Sequence, residues 1–127
     1  MATLKPLQSD PEALKIKIIL LGDSAVGKTT FRRRLETNAF DPEVLATIGL
    51  DCSCFVAKQK HRGYHVEVTL MDPSGQETFK NITRNYYRGV HGVILMCDVS
   101  NMESWKNIAF WKHEIEQNCS DDILMIL

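Results

Sequence analysis

Apolar residues recur along the chain in two rhythms. From Lys15 to Leu21 they first alternate with lysine and then run continuously, as a strand covered on both faces of a parallel sheet requires. Gly22 ends that run, and from Lys28 to about Thr37 the spacing is helical, with Phe31 and Leu35 four residues apart on one side. Two segments, about Leu50 to Lys58 and about Tyr64 to Asp72, flank His61-Arg62-Gly63. The second alternates, placing Val66, Val68 and Leu70 on one face and Glu67 and Thr69 on the other, so the pair predicts a hairpin at a sheet edge. A glycine-containing loop, a helix from about Gln76 to Arg88 and a buried strand from Val93 to Cys97 are predicted next. Ser100 followed by Glu103 predicts a capping box, opening a helix in which Trp105, Ile108, Lys112 and Ile115 share a helical spacing. Ile123 to Leu127 predicts one more buried strand.

This order predicts an α/β sheet with right-handed crossovers and ligands at the carboxyl ends of its strands. Residues 1–14 contain Pro6 and Pro11 and no periodicity, so they are expected as a flexible leader to a domain spanning residues 15–127. A length of 127 residues suits one domain, and 44% hydrophobic with 24% charged residues is globular usage, far from the composition of disorder. The formal net charge of -1 excludes a general basic field for nucleic acid or an anionic membrane, so a phosphate site has to be local. Arg32-Arg33-Arg34 is expected as a solvated helix surface. Cys52, Cys54, Cys97 and Cys119 lack paired metal-ligand spacing and are expected as buried free thiols in the reducing cytoplasm. Ala2 excludes N-myristoylation and the last residues carry no prenylatable cysteine, so no lipid anchor is expected in this chain.

Gly22-Asp23-Ser24-Ala25-Val26-Gly27-Lys28-Thr29 matches G-x-x-x-x-G-K-S/T between a predicted buried strand and a predicted helix. A polyphosphate needs main-chain N–H donors converging on its oxygens. Glycines let the chain curl closely enough to supply them at the positive end of a helix dipole. In that use Lys28 contacts the β- and γ-phosphates and the Thr29 hydroxyl ligates Mg²⁺. The eight-residue pattern alone also admits a glycine turn beside a surface lysine. Asp72-Pro73-Ser74-Gly75-Gln76-Glu77 supplies a second half: Asp72 at a strand end holds Mg²⁺ through water, the Gly75 N–H approaches a terminal phosphate, and Gln76 orients an attacking water. An ordinary turn accounts for Pro73, Ser74 and Gly75 equally well, but not for this residue order joined to the first motif.

Together these segments resemble the Ras superfamily of small GTPases, its Rab branch in particular. Ala46-Thr47-Ile48-Gly49-Leu50-Asp51, Gly75-Gln76-Glu77, Tyr86-Tyr87-Arg88-Gly89 and Cys97-Asp98-Val99-Ser100-Asn101 stand in that family's order and spacing, over a stretch from about Lys15 to the last residue. The resemblance implies a P-loop NTPase fold, a three-layer α/β/α arrangement whose sheet is mostly parallel with one antiparallel edge strand. It implies a nucleotide site of Asp23, Ser24, Ala25, Val26, Gly27, Lys28, Thr29, Thr30, Phe40, Thr47 and Gly75. The implied Mg²⁺ site is Thr29, Thr47 and Asp72, and the implied catalytic residues are Gln76 and Lys28. Within that set Thr30 falls to the α-phosphate, Phe40 to the guanine edge and Thr47 to both metal and γ-phosphate. The implied activity is hydrolysis of GTP to GDP by a timed switch in vesicle trafficking. Thr47 and Gly75 hold two loops while the γ-phosphate is present, and hydrolysis releases both. Exchange factors, GTPase-activating proteins and effectors are the implied partners. A monomer is the expected state, with membrane association only through a longer prenylated form.

Several positions depart from the family pattern. Asp72-Pro73-Ser74-Gly75-Gln76 stands where Asp-Thr-Ala-Gly-Gln is usual, and Pro73 fixes φ and removes an N–H beside the catalytic turn. Met71 replaces the Rab tryptophan between the switches, and Cys52 replaces a switch I phenylalanine. The sequence stops after Leu127, before the Asn-Lys-x-Asp element that selects guanine. A domain incomplete at its C-terminal end is therefore expected, with an apolar sheet patch exposed there. The competing readings are a non-catalytic fragment that binds nucleotide weakly or competes for Rab partners, a chain short of a stable fold, and a P-loop ATPase or kinase.

Overall fold

The strand predicted from Lys15 is the centre of the sheet. The computed structural model describes residues 12–37, 53–73 and 84–127. Within them β1 (Leu14–Leu21), β2 (Ser53–His61), β3 (Tyr64–Asp72), β4 (Gly92–Leu95) and β5 (Leu124–Ile126) form one sheet in the order β2-β3-β1-β4-β5. β1 runs parallel to β3, with Ile16 opposite Val68 and Ile18 opposite Leu70, and parallel to β4, with Ile19 opposite Val93. β4 and β5 are also parallel. Only the predicted hairpin is antiparallel, and it lies at a sheet edge as expected, with β2 outermost and the alternating β3 inside it. Its two-residue turn holds Arg62 at φ 48° and Gly63 at φ 85°. Both angles are positive, as a turn matching the twist of the two strands demands.

The period of two in β1 divides the core. Ile19 and Leu21 join Tyr87, Val90, Val93, Leu95, Trp111 and Ile115 in one cluster, and Leu20 joins Leu70, Ile18, Ile94 and Met96 in another. Side chains alternating across a strand belong to opposite faces, so a strand buried on both must be apolar at every position. This is why Ile18 to Leu21 contains no polar residue.

The helices depart from the sequence expectations in instructive ways. The first, α1 (Lys28–Thr37), has the predicted bounds, but Phe31 and Leu35 face solvent while Lys28, Thr29 and Arg32 are buried. Its opening turns point at the preceding loop and the end of β3, so its inner side is polar. The predicted helix after Ser100 is two helices, α2 (Met102–Lys106) and α3 (Ile108–Asn118), meeting at Asn107. Asn101, not Ser100, caps α2: its Oδ1 accepts from the Glu103 and Ser104 N–H groups at 3.1 and 3.4 Å. Ser100 instead donates its hydroxyl to Asp98 Oδ1 at 2.6 Å. The break changes the helical phase, leaving Trp105 54% exposed while Trp111 is 1% exposed.

Of the helix predicted over residues 76–88, only the end lies among the described residues, and there Arg84–Tyr87 form a 3₁₀ turn. β4 is shorter than the predicted strand, although the Met96 N–H still donates to the Leu21 carbonyl at 2.8 Å. β5 is not the buried strand expected: Leu124, Ile126 and Leu127 are exposed, and Met125 packs against the core. As the outer strand it has one covered face, so its side chains alternate in burial. Cys97 and Cys119 are free thiols, half-buried and not fully enclosed, and burial pushes the Cys119 thiol up from its ordinary value. Cys52 lies outside the described residues. Among those residues no helix is long and apolar enough to cross a membrane.

Tyr87 carries a testable cost. Its hydroxyl is buried with no hydrogen-bond partner, and burial, aided by the Glu114 carboxylate, raises its pKa well above the ordinary 10.0. An unpaired buried hydroxyl costs about 1–3 kcal/mol, so Tyr87→Phe is expected to raise stability at neutral pH by about 1 kcal/mol in urea unfolding. Burial makes the folded chain hold the neutral phenol at pH values where the unfolded chain ionises it. Its contribution is therefore full below pH 10 and is lost as pH rises past that value towards the folded pKa. Wild-type protein should weaken over that window while Tyr87→Phe holds a flatter profile. Parallel profiles would show that Tyr87 does not titrate in this way.

Candidate functional site

The tight loop Gly22 to Gly27 joins the C-terminal end of β1 to α1. Gly22 has φ 142°, and a Cβ placed there would lie 2.2 Å from the Met96 carbonyl oxygen, so no larger residue fits against the strand beside it. Gly27, at φ 102°, turns the chain into the helix, and its carbonyl accepts the Phe31 N–H at 2.8 Å. Ala25 also sits at positive φ, 64°, inside the loop. No acidic side chain occupies the first turn of α1, so the positive end of its dipole is not neutralised from within the helix.

Lys28 is 3% exposed and folds back over this loop, its ammonium donating to the Gly22 carbonyl at 3.0 Å and to the Asp23 carbonyl at 2.5 Å. A buried ammonium needs such acceptors, and they draw the two ends of the loop together. The alternative of a glycine turn beside a surface lysine does not describe this geometry. Asp23 fastens the loop on another side: its carboxylate accepts from Asn107 Nδ2 at 2.6 Å and from Trp111 Nε1 at 2.8 Å. These two partners on the second half of the molecule were not foreseen. Their helix-break and core positions give no motif, though a buried tryptophan N–H usually finds an acceptor.

Thr29 and Asp72 meet as their motifs implied. The Thr29 hydroxyl donates to Asp72 Oδ2 at 2.7 Å, joining the start of α1 to the end of β3. Asp72 is 1% exposed, and the fully buried Pro73 follows it directly. A hydroxyl and a carboxylate are hard oxygen donors, and their convergence fits Mg²⁺, which takes one or two protein oxygens and keeps several waters.

Arg32 corrects the expected solvated run. Arg33 and Arg34 are exposed, but Arg32 is buried, with Nη1 donating to Glu36 Oε2 at 2.6 Å and Nε 3.6 Å from Asp72 Oδ2. Its spacing of three from Thr29 and four from Lys28 was the available signal, since such residues share a helix face.

Ser24 and Ala25 are exposed on the loop, and Val26, Gly27 and Thr30 are half-buried around it. Phe40, Thr47, Gly75 and Gln76 lie outside the described residues.

Comparison with known proteins gives a consistent picture. Residues 17–127 match the Ras family. Over 117 residues the chain is 36% identical to Ras-related protein Rab-10 of Caenorhabditis elegans, covering 92% of this chain and 57% of that protein. It is 36% identical over 126 residues to Ras-related protein Rab-8B of Dictyostelium discoideum, covering 99% and 60%. With human Ras-related protein Rab-30 it shares 38% over 112 residues, covering 87% and 54%. The chain thus spans somewhat more than half the length of these relatives.

The Asp23 tie is open to measurement. Asp23→Ala leaves the Trp111 N–H buried without its acceptor, and the expected loss is about 1–3 kcal/mol in urea unfolding. Asp23→Asn keeps an acceptor oxygen and should lose clearly less. Equal stabilities for all three proteins would show that the tie contributes nothing.

Proposed function

Because the chain belongs to the Ras family of small GTPases, we propose that it is a Rab-like guanine-nucleotide switch that hydrolyses GTP to GDP. The observation that carries this reading is the buried Lys28 folded over its loop, next to the Thr29–Asp72 pair at the strand end. The N–H groups from Asp23 to Thr29 bind the phosphate chain at the positive end of α1, with Thr30 on the α-phosphate. Lys28 holds the β- and γ-phosphates, and Phe40 packs on the guanine edge. Thr29, Thr47 and Asp72 hold Mg²⁺, directly or through water. When bound, that ion supplies neutralisation of negative charge on the phosphate oxygens. Gln76 orients the water, and Gly75 and Thr47 respond to the γ-phosphate, so the two loops that carry them report which nucleotide is present.

Positioning and electrostatics do nearly all of this chemistry, so a slow intrinsic rate and a need for a GTPase-activating protein follow. Exchange factors and effectors read the same loops. The proposed setting is vesicle trafficking from the cytoplasm. A second reading rests on the chain's span of little more than half its relatives: a non-catalytic fragment that binds nucleotide weakly or competes for Rab partners.

Fluorescent GDP and GTP binding tests the first reading. Lys28→Ala is expected to weaken both by about 100-fold or more, the usual consequence of truncating one partner of a buried charge contact. Equally weak signals with and without Lys28 would remove the proposal. Matching affinities for ATP and GTP, or binding without turnover, would favour the second reading.

A further inference from the structure

Arg32 belongs to no motif and has no part in the chemistry proposed above, yet it is buried against the metal-site carboxylate. Thr29, Arg32 and Glu36 succeed one another at spacings of three and four along α1, so one helix face carries a hydroxyl, a guanidinium and a carboxylate in order. Asp72 Oδ2 accepts the Thr29 hydroxyl at 2.7 Å and lies 3.6 Å from Arg32 Nε. The second distance is short enough for an ion pair and too long for a hydrogen bond. Arg32 Nε is buried with no hydrogen-bond partner, although Nη1 of the same group is held by Glu36 Oε2 at 2.6 Å. The Asp72 side chain is fully enclosed, whereas Glu36 is only partly so. A guanidinium does not lose its proton in a protein, so this is a fixed positive charge beside a carboxylate, in a place where water screens little. The orphaned N–H thus belongs to a nitrogen that stops just short of hydrogen-bond distance from the Asp72 carboxylate.

We propose that Arg32 is a built-in counter-cation of Asp72 that competes with Mg²⁺ for this carboxylate, and that Glu36 sets the competition by holding the guanidinium back. Arg32 touches neither nucleotide nor reacting atoms in this scheme; it is a positioning residue acting through Asp72. Nucleotide retention then demands more free Mg²⁺ than the Thr29–Asp72 pair alone would require. The inference rests on the nucleotide-switch reading.

The test is the release rate of fluorescent mant-GDP from the full chain across buffered free Mg²⁺, from micromolar to ten millimolar. Arg32→Leu keeps an apolar stem without the charge, and its half-saturating Mg²⁺ concentration is expected to fall about tenfold. Glu36→Gln removes the restraining charge and should move it the opposite way, while Arg32→Lys, which keeps the cation, should stay near wild type. At saturating Mg²⁺ the release rates should converge. Unshifted half-saturation in Arg32→Leu and Glu36→Gln, or a change equal at every Mg²⁺ concentration, would overturn the inference and leave nucleotide binding standing. Should Arg32→Leu not fold, an unmoved Glu36→Gln overturns it alone. Absence of mant-GDP binding by the wild type at every Mg²⁺ concentration would remove both readings together.

Discussion

A carboxylate shut away from water at the end of a strand is the constraint around which the described structure is arranged. Closing a carboxylate off from water without polar partners costs far more than one helix or hairpin can return. Two partners of Asp72 come from α1: the Thr29 hydroxyl bonds it and the Arg32 guanidinium stands beside it. Strand β3 and helix α1 are thereby tied at one point, and the loop between β1 and α1 has its far end fixed. β1 is itself paired along β3, so the near end is fixed by the same strand.

The loop is then held from three directions. Lys28 bonds the carbonyls at its start, Gly22 presses against the Met96 carbonyl just past β4, and Asp23 reaches across to Asn107 and Trp111. Anion recognition by main-chain N–H groups depends on such holding, since donors that must be ordered at the moment of binding give up much of their gain in entropy. The Asp23 tie also explains an irregularity elsewhere. The break at Asn107 separates α2 from α3, and it brings the Asn107 amide and the Trp111 indole to the same carboxylate. A continuous helix of the predicted phase would have favoured Trp105, which the structure leaves largely in solvent.

What could be read in the sequence followed the strength of the local signal. The strands announced themselves because continuous β-branched and aliphatic runs have few other uses, and the Arg62-Gly63 turn lies between two of them. The meeting of Thr29 with Asp72 beside the glycine loop was legible because each residue type there matches a requirement of phosphate or metal chemistry, the function itself remaining a proposal. Arg32 was not, since three adjacent arginines look alike in composition and only the direction of a helix face separates the buried one from its neighbours. Trp111 was missed for a related reason: spacing from Trp105 assumed a single helix, and the Asn107 break lies in backbone geometry that no propensity marks clearly. The exposure of β5 reflects its place at the sheet edge, a property of topology that apolar content cannot report.

Gripping phosphates and choosing a base are separate tasks, and the roles proposed for the described residues concern the first. An ammonium, a helix N-terminus and a hydroxyl–carboxylate pair recognise charge and oxygen geometry shared by every nucleoside triphosphate. Discrimination between purines requires donors and acceptors matched to a ring edge, where an unmet buried polar group penalises the wrong partner. Nothing in the loop from Gly22 to Thr29 has that character, so affinity and base selectivity are physically independent here. On the proposed reading, mutations at Lys28, Thr29 or Asp72 would act on all nucleotides alike, whereas any preference for guanine has to be written in residues that touch the base.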